Sequence, residues 1–214
     1  MKSTLFNMVA VLFCITLISS AGVGLVNMIT VEPIAEAKQK AVNDAVLAVL
    51  PAFDNKEITE YVINDMPIKV YTATAEAKTV GYAVETMTKK GFNGVVKLMV
   101  GFAPTGEVLN VNVIQQAETP GLGTKMCDEG NPLIQSIKGQ DLKQKKLVDG
   151  MLAVTKDGGD VDALTAATIS SRAYVDAVNR AYMAYMAVVT GTEPVDVATG
   201  ASKVKPTQKG GNNE

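Results

Sequence analysis

Histidine and tryptophan are absent from this sequence of 214 residues, and cysteine occurs only twice, at Cys14 and Cys127. Without histidine the chain cannot form a Ser-His-Asp triad, a histidine proton shuttle or a histidine metal site. Two isolated cysteines are also too few to hold an iron–sulfur cluster or a structural zinc ion. The formal net charge is −2, so the chain lacks the basic balance of a nucleic-acid-binding protein. We therefore expect neither a metal site nor nucleic acid as a partner.

Charge is also absent from residues 3–31, and residues 5–29 are mainly apolar. About 20 apolar residues suffice for a helix to cross the hydrocarbon core of a membrane. A cleaved signal peptide is the alternative, but its apolar core has only about 7–15 residues. We predict an uncleaved anchor over residues 1–31. Lys2 precedes the span and Glu32 follows it, so the positive-inside rule places the N-terminus in the cytoplasm and the remaining chain in the periplasm.

Beyond the anchor, composition and periodicity divide the chain into three segments. Pro33 suits the first position of a helix, and an apolar face over residues 34–50 predicts a juxtamembrane helix within the segment 32–52. Residues 53–191 carry the patterns of a folded domain. Residues 192–214 are rich in glycine, lysine and asparagine, with few apolar side chains to offset the entropy of ordering. We expect this last segment to be a disordered tail.

Strand patterns dominate the first half of the predicted domain. Apolar runs and alternating positions predict strands over residues 68–72, 80–88, 95–100, 108–114 and 151–155. Pro104-Thr105-Gly106 is a turn signal between the third and fourth of these strands. Residues 131–139 show a short helical pattern. Strands combined with helices predict the α+β class.

Hydroxyl side chains and one carboxylate are concentrated in the stretch Asp162-Ala-Leu-Thr-Ala-Ala-Thr-Ile-Ser-Ser171. A helix is predicted directly after it, because apolar residues recur at spacings of three and four at Tyr174, Ala177, Val178, Ala181, Tyr182, Tyr185, Val188 and Val189. Ser170 or Ser171 is the expected N-cap. The free amides and the dipole of such a helix start favour a bound anion, although a well-capped helix without a ligand explains the same residues.

A second unusual stretch is Glu118-Thr-Pro-Gly-Leu-Gly-Thr-Lys125. Its proline and its two glycines predict a tight, non-repetitive backbone. Such a loop lets main-chain atoms approach a planar ligand, with Leu122 against a ring face. A surface turn without a ligand is the alternative.

The stretch from Asp162 to Ser171 resembles the flavinylation motif of the FMN-binding domain family. That motif has Asp, two variable residues, Ser or Thr, Gly, Ala, Thr, one variable residue, and Ser or Thr. In the family, a dedicated flavin transferase attaches FMN to the second Thr, here Thr168, through a phosphoester bond. The sequence departs from the motif at Ala166, where the family has glycine, and alanine reaches positive φ less easily.

The resemblance includes Gly91-Phe-Asn-Gly94 and the loop from Glu118, although a ligand-free β-hairpin also explains the first of these. It implies a mainly antiparallel sheet with flanking helices, preceded by a single transmembrane helix. Glu118 is expected to orient a backbone amide or a polar edge of the flavin. The resemblance implies covalent FMN on Thr168 and a cofactor site that also contains Glu118, Thr119, Gly121, Leu122, Gly123, Asp162, Thr165, Ala166, Ala167, Ser170 and Ser171.

The order and length of these segments resemble the G subunits of Rnf-type ferredoxin–NAD oxidoreductases, which translocate an ion. The C subunits of sodium-translocating NADH–quinone reductases are the close alternative. The resemblance implies an electron-relay subunit in the bacterial inner membrane. Its implied partners are the other membrane subunits, including a second FMN-carrying subunit, and the flavin transferase. A single span without ionisable residues offers no path for the ion itself.

Two other classes of function use the same hydroxyl-rich stretch. A hydrolase with Ser170, Ser171 or Thr168 as nucleophile would lack a histidine base, and the motif places no lysine beside them. A membrane-anchored binding or assembly module without a redox group remains open, because resemblance to a family does not by itself establish its chemistry.

Overall fold

The structure is a computed structural model and describes residues 5–145, 147–148 and 150–192. The chain divides into two compact units, of which the first ends at Asn43 and the second begins at Asp44. The predicted tail lies outside the described residues from position 193 onward. The helices and strands are α1 (Leu5–Val49), β1 (Asn55–Ile63), β2 (Met66–Ala75), β3 (Lys78–Gly91), β4 (Gly94–Phe102), β5 (Val108–Gln115), α2 (Pro132–Ile137), β6 (Leu147–Val148), β7 (Met151–Leu152) and α3 (Thr168–Thr190).

A single continuous helix, α1, replaces the two helices that the sequence predicted on either side of Pro33. The prediction of a break was wrong because a proline removes only one backbone hydrogen bond, and the segments on both sides of it favour helix. Among the described residues there is one helix, α1, that is long enough and apolar enough to cross a membrane. Its uncharged N-terminal part fits a single crossing of the hydrocarbon core.

The last turn of α1 belongs to the second unit and packs on its sheet. Ala45, Val46 and Val49 are buried there. Asn110 on β5 donates its side-chain amide to the carbonyl of Ala48 at 3.0 Å. Gly101 on β4 leaves no room for a side chain, because a Cβ at that position would lie 2.2 Å from the carbonyl oxygen of Val49. The glycine therefore allows the helix end to lie directly against the strand.

The main sheet has five antiparallel strands in the order β1-β2-β3-β4-β5, each paired with its neighbour in sequence. This confirms the α+β class and the antiparallel sheet. Strands β2 to β5 contain the first four predicted strands, and α2 confirms the short helical pattern. The predicted strand 151–155 is a strand only at Met151–Leu152, because Thr155–Asp157 forms a 3-10 turn. Strands β6 and β7 form a separate hairpin.

Strand β1 was not predicted. Its sequence Asn-Lys-Glu-Ile-Thr-Glu-Tyr-Val-Ile is largely exposed at the edge of the sheet, so it lacks the apolar alternation that marks a half-buried strand. Only Ile63, at its end, is fully buried.

Helix α3 packs across one face of the sheet, chiefly on β3 and β4. The core between them is apolar and includes Val84, Leu98, Val100, Phe102, Tyr174, Ala177, Val178, Ala181 and Tyr185. Phe102 and Tyr185 stack with their ring centroids 4.8 Å apart. Burial of this area supplies the main free energy that holds the helix on the sheet.

A buried charged network fixes the position of α3 along the sheet. The Asp176 carboxylate accepts hydrogen bonds from Thr88 Oγ1 at 2.7 Å and Lys90 Nζ at 2.9 Å, both on β3. It also accepts from Arg180 Nε and Nη2 at 3.2 and 3.0 Å. Arg180 Nη1 in turn donates to the carbonyl of Ile63 at 3.4 Å. A slip of α3 along the sheet would separate the buried Asp176 carboxylate from Thr88 and Lys90 at high cost. It would also separate Arg180 from the carbonyl of Ile63. The N-terminus of α3 is therefore held in a defined place.

Candidate functional site

The hydroxyl-rich stretch forms a turn and the first residues of α3. The backbone reverses at Ala166, which has a φ of 58°, and Ala167 is the N-cap of the helix. Thr168 is the first helical residue and its side chain is partly exposed. The first amides of a helix have no partner within it, and together with the helix dipole they favour an anion. The Thr168 hydroxyl therefore lies where a phosphate ester would be stabilised.

The predicted N-cap at Ser170 or Ser171 was wrong. The helix starts earlier because the positive φ of Ala166 completes the chain reversal before Thr168. Ser171 Oγ instead accepts from the amide of Leu164 and donates to the carbonyl of Ala167, both at 2.9 Å. This hydroxyl thus closes the turn from inside the helix rather than capping its end.

A buried carboxylate, Glu118, connects three segments of the site. It is 4% exposed. Ser170 Oγ on α3 donates to its Oε2, and the backbone amide of Asn93 in the β3–β4 turn donates to its Oε1 at 3.2 Å. The Glu118 amide itself donates to Gln116 Oε1 at 2.6 Å. Glu118 therefore orients a backbone amide and holds its own loop between the β3–β4 turn and α3.

Glycines allow these segments to approach each other. A Cβ on Gly123 would lie 2.6 Å from Ser170 Oγ and 2.7 Å from Cβ of Glu118. A Cβ on Gly91 would lie 2.6 Å from Glu118 Oε1. Gly121 has a φ of 74°, a conformation that glycine adopts without strain. The tight loop predicted from proline and glycine is thus present, and it packs against the helix start.

The three segments enclose a cavity of about 300 Å³. Its walls include three apolar side chains that stay substantially exposed, with Phe92 at 61%, Ile169 at 47% and Leu122 at 39%. Small-molecule sites span about 300–1,000 Å³ and combine apolar walls with a few polar groups. The complete lining is Phe92, Thr119, Leu122, Gly123, Ala166, Ala167, Thr168, Ile169 and Ser170.

The twelve residues predicted for the site differ in how close they lie to this cavity. Seven of them line this cavity, and Glu118 contacts it through its hydrogen bond with the lining residue Ser170. Four others do not line it. Asp162 and Thr165 are exposed, and the amide of Asp162 donates to Ser136 Oγ at 2.9 Å. Gly121 shapes the loop, and Ser171 is buried inside the turn.

Three residues at the site were missed from the sequence. Phe92 and Ile169 are wall residues, and Lys156 donates from Nζ to Thr168 Oγ1 at 2.8 Å. A large apolar residue within a four-residue hairpin turn was a usable signal for Phe92, because such turns seldom bury it. Ile169 occupies the variable position of the motif between Thr168 and Ser170. No sequence signal connected Lys156 with Thr168, because the contact joins two separate turns.

A larger cavity of about 570 Å³ lies elsewhere, between β5 and the region around α2. Its lining contains Cys127, Asp128 and Glu129 but no serine or threonine. Burial raises the pKa of the Cys127 thiol, and the charge of Asp128 raises it further. The thiol is therefore protonated at neutral pH and a weak nucleophile. The lining of this cavity therefore offers no serine or threonine hydroxyl for a phosphoester.

Comparison with known proteins agrees with this geometry. Residues 91–183 match the family model described as FMN-binding domain. The G subunit of the ion-translocating oxidoreductase complex of Shewanella loihica is 34% identical over 190 residues, which cover 84% of this chain and 89% of that protein. The chain belongs to this family of G subunits. The G subunit of Haemophilus influenzae Rd is 35% identical over 170 residues, covering 76% of this chain and 80% of the relative. The G subunit of Vibrio cholerae is 33% identical over 173 residues, covering 77% and 82%.

The residues present in this chain fit an FMN group. The match to the FMN-binding domain runs from the β3–β4 turn into α3, so it contains every residue that lines the cavity. Thr168 offers an alcohol oxygen, and the helix start offers amides for a phosphate. Phe92, Leu122 and Ile169 offer apolar area for a planar ring system.

Proposed function

We propose that this chain is the electron-relay G subunit of an Rnf-type complex, which transfers electrons between ferredoxin and NAD and translocates an ion. We further propose that it holds FMN covalently, through a phosphoester on Thr168. The observation that carries the proposal is the partly exposed Thr168 hydroxyl at the first residue of α3, on the wall of the 300 Å³ cavity. The G-subunit relatives favour this complex over the alternative of a sodium-translocating NADH–quinone reductase.

The chain's own residues have separate roles in this proposal. Thr168 supplies the oxygen of the ester, and the first amides of α3 hold the phosphate. Phe92, Leu122 and Ile169 cover part of the ring and keep water from it. When bound, FMN supplies reversible electron transfer. Glu118 and Ser170 keep the loop and the helix start in register, so the apolar walls stay in place around Thr168.

The proposal includes a location and partners. Helix α1 crosses the bacterial inner membrane once, with Lys2 on the cytoplasmic side and the folded domain in the periplasm. The partners are the other membrane subunits of the complex, including the second subunit that carries FMN, and the flavin transferase that modifies Thr168. The exposed apolar side chains around the cavity suit contact with a protein that accepts or donates electrons.

Substitution of the two candidate threonines tests the attachment. Full-length protein is purified from cells that co-express a flavin transferase, and is then denatured and freed of unbound flavin. We expect the wild type and Thr165→Val to keep their yellow colour, because Thr165 lies outside the cavity lining. Thr168→Val should be colourless, because valine has nearly the same shape and no hydroxyl. A yellow, denatured Thr168→Val protein contradicts the proposal, and so does a colourless wild type.

A further inference from the structure

A lysine from a separate turn contacts the attachment oxygen. Lys156 Nζ donates to Thr168 Oγ1 at 2.8 Å. Lys156 lies in the 3-10 turn Thr155–Asp157 and is exposed. Thr168 is therefore approached by an ammonium group as well as by the amides of its own helix.

The turn that carries Lys156 is attached to α3. Arg172 donates to Asp157 from Nε at 2.7 Å and from Nη2 at 2.5 Å, which is a bidentate ion pair. After the turn, Gly158 has a φ of 89°. Gly159 has no room for a side chain, since a Cβ there would lie 2.1 Å from the carbonyl oxygen of Ala153. The backbone at Lys156 is therefore fixed on the N-terminal end of α3.

We propose that Lys156 assists flavin attachment, and that its ammonium stabilises the phosphoryl group as it is transferred to Thr168. This rests on the proposed function. The donor is flavin adenine dinucleotide, held by the transferase. Thr168 Oγ1 bonds to the phosphorus next to riboflavin, the bridging P–O bond breaks, and AMP leaves with the electron pair. The hydroxyl proton passes to a base of the transferase.

The geometry suits that role. Because Lys156 donates to Oγ1, the hydroxyl hydrogen of Thr168 points elsewhere and remains available to an external base. The non-bridging oxygens of the incoming phosphoryl group become neighbours of Oγ1, within reach of the same ammonium. Hydrogen bonds between charged partners are about twice as strong as neutral ones. In the product, Lys156 and the helix start together hold the phosphodiester anion.

The test measures flavin transfer to the full-length chain in detergent, with purified transferase and flavin adenine dinucleotide. Lys156→Met keeps the length of the side chain and removes its charge. We expect the turnover rate to fall about tenfold, less than for a donor in an enclosed site, because Lys156 is exposed. The KM for the dinucleotide should stay unchanged, because that substrate binds to the transferase. Lys156→Arg should restore most of the rate.

Two further measurements separate charge from structure. Added salt should slow the wild type more than Lys156→Met, because salt screens the charge of the Lys156 ammonium, which the variant lacks. Lys78→Met is the matched control, since Lys78 is exposed at the start of β3 and loss of its charge should not change the rate. Wild-type rates in Lys156→Met overturn the inference. An equal loss in Lys156→Arg, with a lowered thermal midpoint, overturns it as well. A wild type that accepts no flavin contradicts the proposed function itself.

Discussion

At the residue scale, the position that departs from the flavinylation motif is also the strained one. Ala166 has a φ of 58°. At this φ the Cβ of alanine crowds the neighbouring carbonyl, whereas glycine adopts the conformation without strain. A positive φ at this position is therefore a sufficient reason for the glycine that the motif has there. In this chain alanine retains the turn at an energetic cost.

Replacing Ala166 with glycine should stabilise the protein. The relief of strain exceeds the extra entropy of glycine in the unfolded chain, so we expect a gain of roughly 0.5–1 kcal/mol in the free energy of unfolding. A rise of about 1–4 °C in the thermal midpoint corresponds to that gain. Ala167→Gly is the control, because Ala167 has a φ of −130° and should lose stability instead. If both variants lose stability, the turn does not depend on positive φ at Ala166.

Of the motif residues expected at the site, Ala166, Ala167, Thr168 and Ser170 line the cavity, and the others do not. The binding of FMN by these residues stays a prediction. The N-cap of α3 was predicted too late in the chain, because local sequence patterns do not predict a positive φ at an alanine. Lys156 was missed because its contact depends on how two turns pack, which local patterns do not determine.

At the element scale, the site depends on one buried contact between a loop and a helix. Glu118 accepts from Ser170 and from the amide of Asn93, and it is almost fully buried. Removing a buried acceptor leaves its donors without partners at a cost of about 1–3 kcal/mol. The Glu118 loop should then separate from α3 and widen the cavity.

A double-mutant cycle measures this contact. We expect Glu118→Ala to lower the free energy of unfolding by about 2 kcal/mol and Ser170→Ala by about 1 kcal/mol. The double variant should lose about 1 kcal/mol less than the sum, because both single changes break the same hydrogen bond. Thermal unfolding in detergent supplies the values. Strict additivity would show that the two side chains do not interact in solution.

The elements themselves were predicted where periodicity was strong. Strands β2 to β5 contain apolar runs or alternating apolar positions, and helix α3 has apolar residues at spacings of three and four, so these patterns located them. Strand β1 is largely exposed and carries charged residues, so it lacked such a pattern. The break at Pro33 was inferred from a preference of proline for helix starts, which the surrounding helix-forming sequence overrides.

At the scale of the whole molecule, the proposed function requires one membrane crossing with the folded domain outside the cytoplasm. Labelling of the two cysteines can measure this orientation directly. Cys127 is exposed in the folded domain, whereas Cys14 lies within the apolar part of α1. Partial burial of the Cys127 sulfur raises the pKa of its thiol, so the thiolate fraction and the labelling rate increase as the pH rises toward that pKa.

Labelling of intact spheroplasts with a membrane-impermeant maleimide tests the orientation. At about pH 8.5, where the thiolate fraction is larger, we expect Cys127 to be labelled without lysis. The Cys127→Ser variant should stay unlabelled, because its remaining cysteine, Cys14, is shielded by lipid. Labelling that appears only after lysis would place the domain in the cytoplasm and reverse the orientation.

Peptide mass spectrometry tests most directly whether FMN is esterified to Thr168, on which the proposed function depends. The full-length protein, matured with a flavin transferase, is digested and its flavin-containing peptides are fragmented. We predict one flavin phosphate on the tryptic peptide Asp157–Arg172, with the fragment ions assigning it to Thr168. The same modification on Thr165, or on a residue outside this peptide, would contradict the proposed attachment.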